Sequence, residues 1–100
     1  MSNYVKGRKS VSAVITGQDA FTDPLFLHSG EQASVSVSGV ASSKVALQRR
    51  LDGTNWRDVK VYEAPAEETY VADERGHIRL GVKTGDYGGG DTIAVRLGKG

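Results

Sequence analysis

The chain has 100 residues, with 38% apolar and 25% charged side chains and a formal net charge of +1. A chain of that length supports one thin core and one domain. The near-neutral balance excludes general nucleic-acid binding, which needs a concentrated basic footprint, and the lack of cysteine excludes a disulfide framework or a cysteine-built zinc site.

Residues 1–9 carry Lys6, Arg8 and Lys9 with no acid, and read as a basic arm ahead of a single domain over residues 10–100. No continuous apolar stretch follows the basic start, so it is not a signal peptide. Nothing approaches a transmembrane length. A mature cytoplasmic product with no C-terminal tail is the expectation.

Along the chain the recurring period is two, and no stretch has the apolar spacing of a helix. "VSAVIT" (11–16) and "PLFLH" (24–28) are the first, weaker strand candidates. "QASVSVSG" (32–39) sets Ala33, Val35 and Val37 against Ser34, Ser36 and Ser38, one buried face and one small polar face. "KVALQRRL" (44–51) puts Val45, Leu47 and Leu51 on one face, with Arg49 the exception among them. "VKVY" (59–62) and "TYVA" (69–72) follow as weaker candidates. "HIRLGVK" (77–83) buries Ile78, Leu80 and Val82, and "TIAVRLG" (92–98) buries Ile93, Val95 and Leu97. Turn chemistry rich in Gly, Asp and Ser separates the runs. Seven or eight short strands without substantial helix predict an all-β fold, a small antiparallel β-sandwich with immunoglobulin-like or jelly-roll-like connections. A partly closed barrel uses the same alternation.

"RRLDGTNWRDV" reads as a hairpin in that frame. Leu51 ends one strand, Asp52, Gly53 and Asn55 turn the chain, and Trp56 opens the return strand. A Trp in this place folds its ring over the facing strand, with flanking arginines stacked on it. The competing reading is a ligand-stacking platform, with Tyr62 and Tyr87 as the other exposed aromatics. A platform usually wants several aromatics in register, and the chain has few.

Chemistry has little to stand on. His28 and His77 have no spacing that ties them to a nucleophile, and the acids gather in "EAPAEETYVADE", where solvation or docking is simpler than paired-carboxylate hydrolysis. "TGDYGGGD" (84–91) lacks the strand–helix context of a dinucleotide loop and the lysine of a phosphate loop, and reads as a flexible hairpin loop with Tyr87 at a contact. Asp86 and Asp91 with Asp52 or Asn55 fall far short of a calcium loop. No catalytic, cofactor or metal residue is assigned, and the expectation is a protein that is not an enzyme. The charges are blocked: residues 11–43 hold Asp19, Asp23 and Glu31 without a base, and residues 63–74 hold five acids without a base. Blocks of opposite sign suit self-association or docking. On that ground Lys6, Arg8 and Lys9, and Glu63, Glu67, Glu68, Asp73 and Glu74, are candidate interface residues, with Tyr87 added from the glycine loop.

"VALQRRLDGTNWRDV", the acidic connector and "HIRLGVKTGDYGGGDTIAVRL" together resemble small structural proteins of tailed bacteriophages. Those run roughly as "LQRSxDGxxW", a return strand and a "YRLxVxxGxxxSGTxxVRL" ending. The matching positions are Leu47, Gln48, Arg49, Asp52, Gly53, Trp56, Arg79, Gly85, Gly90, Val95, Arg96 and Leu97. His77 stands near the usual tyrosine, and "GGGDT" replaces "SGT". The resemblance covers residues 44–97. It implies a non-enzymatic virion component made in the bacterial cytoplasm, foremost a capsid decoration (cement) protein stabilising the head. Its partners would be the major capsid protein or other virion proteins and further copies of itself, a trimer being favoured, with no direct nucleic acid and no membrane. The alternatives are a neck, tail, baseplate or fibre-anchoring component, and, from another class, a carbohydrate-binding β-sandwich module using Trp56 and Tyr87.

Overall fold

Side chains that alternate with period two give each strand one core face. The computed structural model describes residues 9–51 and 55–99 and resolves this alternation into nine strands, with no helix among the described residues. They are β1 (Ser10–Ile15), β2 (Ala20–Phe21), β3 (Leu25–Leu27), β4 (Gln32–Ser38), β5 (Val45–Arg50), β6 (Arg57–Tyr62), β7 (Ala66–Val71), β8 (Gly76–Val82) and β9 (Ile93–Lys99). Two antiparallel sheets result. The first has the order β1-β9-β4-β7; the second has the order β2-β8-β5-β6, with β3 also paired to β8. Val11, Ile15, Val35, Val37, Val95 and Leu97 of the first sheet meet Leu25, Leu27, Val45, Leu47, Ile78, Leu80 and Val82 of the second in one core.

The expected sandwich is present, and its connections can be read off the pairing. β2 and β3 are one strand interrupted at Thr22–Pro24, since both pair with β8. β1 likewise pairs with β9, β4 with β7 and β5 with β6, and β4 with β9 and β5 with β8 join these pairs into the two sheets. First strand therefore pairs with last, second with second-last, and so inward, like a long hairpin rolled so that successive pairs alternate between sheets. Of the two connection types expected, this is the jelly-roll one.

Two local expectations change. "TGDYGGGD" is not a hairpin loop, because β8 and β9 lie in opposite sheets, so residues 83–92 cross from one sheet to the other. Alternation specifies which side chains face the core, and both sheets share that core, so it cannot say which sheet comes next. Leu51 does not close the core face of β5; the strand ends at Arg50 and Leu51 is 42% exposed. The β5–β6 hairpin pairing is present, with Val45 opposite Tyr62 and an irregularity between Leu47 and Gln48. Asp52 and Gly53 of its turn, and Lys6 and Arg8 of the basic arm, lie outside the described residues.

Candidate interaction surfaces

Trp56 immediately precedes β6 and is half-buried on the outer face of the second sheet. The Arg50 guanidinium lies over its ring at 4.6 Å from the centroid, and that of Arg79 at 4.3 Å. Arg79 also lies 3.9 Å from the Phe21 ring centroid. Phe21, opposite Gly81 in the β2–β8 register, can come this close only because residue 81 has no side chain: a Cβ there would stand 2.2 Å from the Ala20 carbonyl oxygen and 2.5 Å from Phe21 Cα. From the stack a polar ladder runs across the sheet. Arg79 Nε donates to Gln48 Oε1 (2.8 Å), Gln48 Nε2 donates to Asp58 Oδ1 (2.9 Å), and Lys83 Nζ donates to Asp58 Oδ2 (2.6 Å). Burial and the neighbouring Arg50 charge lower the Arg79 pKa, Asp19 opposing them. The Lys83 and Gln48 hydrogen bonds lower that of Asp58.

One of the two stacking arginines, Arg50, flanks the turn as expected. The other, Arg79, comes from β8, and nothing local in the sequence points to it. With both guanidinium groups over the ring, Trp56 ties β8 to the β5–β6 hairpin. Trp56→Ala is expected to lower the unfolding free energy by about 1–3 kcal/mol in urea denaturation, from lost apolar burial and cation–π contact. A sugar platform would instead give unchanged stability and lost glycan binding.

The acidic segment divides. Glu63 and Glu74 are exposed. Glu67 accepts a hydrogen bond from Ser36 Oγ on the neighbouring strand. Glu68 accepts from Lys60 Nζ (2.8 and 3.0 Å) and from Tyr62 OH (2.9 Å), so an acid of one sheet bridges to β6 of the other. Lys60 first and then Tyr62 lower the Glu68 pKa, while burial and then the hydrogen bond to Glu68 push the Tyr62 phenol up. Asp73 forms an ion pair with Arg49 (2.8 Å), which accounts for the charged exception on the core-facing side of β5. All five candidate acids are exposed, and of them Glu67, Glu68 and Asp73 have partners on another strand.

Tyr87 is also engaged internally. It is half-buried, and its hydroxyl donates to the Asp91 carbonyl. The Asp91 carboxylate in turn accepts the backbone N–H groups of Ala41 (3.1 Å), Ser42 (3.0 Å) and Ser43 (3.0 Å). These bonds hold its pKa down at about 2. Gly88 N–H donates to Ser43 Oγ (2.8 Å), and Lys44 N–H to the Asp86 carbonyl (2.9 Å). The glycine loop is thereby bonded to the β4–β5 crossover. His28 and His77 both lie edge-on to Phe26, at 4.8 and 5.3 Å between centroids. Among the described residues no three His, Cys, Asp or Glu side chains are grouped to hold a metal ion, and no helix is long and apolar enough to cross a membrane.

The outer face of the first sheet is different in kind. One cross-strand row is Ser10, Gly98, Ser34 and Thr69; the next is Ser12, Arg96, Ser36 and Glu67. Most side chains of these rows are small, the Arg96 side chain lies over Gly98, and Val14 at the rim is 71% exposed. Lys9, the one described cation of the basic arm, is exposed beside it, and its carbonyl accepts from Lys99 N–H (2.6 Å). Alternation alone marks these serines as a solvent face; the further signal in the sequence is that residues 10–16 contain no charge at all. Compared with protein-family models, curated proteins and solved structures, the chain matches none.

Proposed function

We propose that this chain is a non-enzymatic structural component of a tailed-bacteriophage virion, foremost a decoration protein that lies on the capsid, binds the major capsid protein and stabilises the head. The observation that carries the reading is the broad outer face of the first sheet, mostly small residues crossed by the Arg96 side chain, on a slab of 42 × 32 × 20 Å. A thin plate with one broad face of mostly small residues suits lying against a larger protein surface, where many modest contacts multiplied by copy number replace one deep site. The jelly-roll arrangement is shared by viral shell proteins, but also by lectins and cupins, so it supports the reading only as an analogy of fold. The engagement of Trp56, Glu68, Asp73 and Tyr87 in internal ties also favours a rigid building block over a ligand pocket.

Quantitative mass spectrometry of the purified particle tests this. A copy number in simple ratio to the major shell protein is the expected result. A handful of copies in multiples of three, six or twelve would move the protein to the neck, tail or baseplate. Absence from the particle would overturn the virion reading.

A further inference from the structure

Among the described residues the sandwich has four sheet edges, and three of them carry devices that discourage pairing. β6 has a bulge and the inward-pointing Lys60; β7 has Glu67 and the inward-pointing Glu68. The β2/β3 edge is two short pieces broken at Asp23-Pro24. Charges, bulges, inward-pointing ions, proline and shortness are the usual ways of blunting an edge. β1 has none of them. It is six residues long, uncharged, and paired with β9 throughout without irregularity.

The backbone phase of β1 follows from one hydrogen bond. Lys99 N–H donates to the Lys9 carbonyl, and these residues are opposite each other in the β1–β9 register extended by one position. In an antiparallel ladder the bonded pairs alternate. Val11, Ala13 and Ile15 therefore turn their N–H and C=O groups towards β9, and Ser10, Ser12 and Val14 turn theirs to the open edge. The same three residues have their side chains on the outer face, where Val14 is the most exposed large apolar residue described.

We propose that the β1 edge is a docking site for β1 of a second copy of this chain, antiparallel about a two-fold axis at Ser12. Ser12 then faces Ser12 of the second copy, and Ser10 of each faces Val14 of the other. Three outward residues on each strand, each with one donor and one acceptor, form six hydrogen bonds. The side-chain phase is preserved, so Val11 and Ala13 continue the core rows across the junction. Charge selects this direction. The chain is purely basic before β1, at Lys6, Arg8 and Lys9, and purely acidic after it, at Asp19 and Asp23. Antiparallel copies bring the basic end of one strand alongside the acidic end of the other, whereas parallel copies would oppose like charges. Because the other described edges are blunted, the open edge pairs with its own kind, which gives a closed two-fold pair and not a three-fold ring. This inference does not rest on the virion reading.

Proline at residue 12 removes an outward N–H without removing a bond to β9, and proline is tolerated in edge strands in that orientation. Ser12→Lys instead places two like charges opposite each other on the axis while leaving every backbone group in place. Sedimentation equilibrium of the full chain over a dilution series is expected to show a monomer–dimer equilibrium. Both variants should raise its dissociation constant by about tenfold or more, with unchanged circular dichroism. Should Ser12→Pro fail to fold, Ser12→Lys decides alone. A wild-type chain that stays monomeric up to roughly millimolar concentration, a three-fold stoichiometry, or variants that dimerise like wild type would each overturn the proposal.

Discussion

Gly39→Ala is expected to lower the unfolding free energy by more than about 4 kcal/mol, a loss large enough to leave most of a domain this size unfolded. Gly39 follows β4 with φ +82°, a left-handed conformation that an L side chain adopts only with strain. A Cβ built there lies 2.0 Å from the Thr92 carbonyl oxygen, 3.0 Å from Thr92 C and 3.3 Å from Ile93 Cα. All three atoms are backbone, and Ile93 begins β9 in the centre of the first sheet, so nothing can move aside cheaply. Gly90 separates the two causes. It has nearly the same conformation, φ +78°, but open space where its Cβ would stand. Gly90→Ala should cost only about 1 kcal/mol. Equal losses at the two sites in urea denaturation would show that the close approach of Gly39 to Thr92 is not what matters.

The second large effect lies at the same corner. Asp91→Asn is expected to lower Tm by roughly 5–10 °C at neutral pH, because one carboxylate oxygen receives three backbone N–H groups of the β4–β5 crossover. The effect should depend on pH in a definite direction. The folded-state pKa of Asp91 is about 2, below the ordinary value of about 3.9. Between those values the unfolded chain binds the proton more readily, so the stabilisation is complete above about pH 4 and fades as pH falls towards 2. The Tm difference between wild type and Asp91→Asn should therefore be widest from pH 5 to 7 and narrow steadily below pH 4. Other carboxylates held low, at Glu31, Asp58 and Glu68, are present in both proteins and cancel in the comparison. A difference that stays constant from pH 6 to pH 2 would rule out the charged carboxylate as the anchor.

Both predictions concern a corner that period-two reading misjudges. "TGDYGGGD" shows its glycines plainly, and glycine signals a turn whatever it connects. What makes this segment rigid is its bonding to residues 41–44, whose N–H and hydroxyl groups are nearly half the chain away in sequence. Distance along the chain also hides Arg79 from any local reading of Trp56, although the hairpin around Trp56 is legible from Asp52-Gly53 and the flanking strands. Charge blocking drew attention to Glu68 and Asp73, but composition cannot distinguish an acid that meets Lys60 or Arg49 from one left to solvent. For the open β1 edge, its lack of charge is visible in the sequence; its being an edge is not.

By itself, the sequence determined that this is an all-β fold, because "QASVSVS", "HIRLGV" and "IAVRLG" each have one face that must leave water and no other period competes. It also determined most strand positions and the aromatic hairpin, since turn residues and alternation act over a few residues. The tertiary structure alone decided which strands pair, which sheet each joins, and hence which described strands lie at an edge. The physical reason is that burial is indifferent to partner: any strand with an apolar face can cover any other. Only the complete set of backbone hydrogen bonds and the exclusion of every Cβ from places such as Gly39 and Gly81 select a single roll.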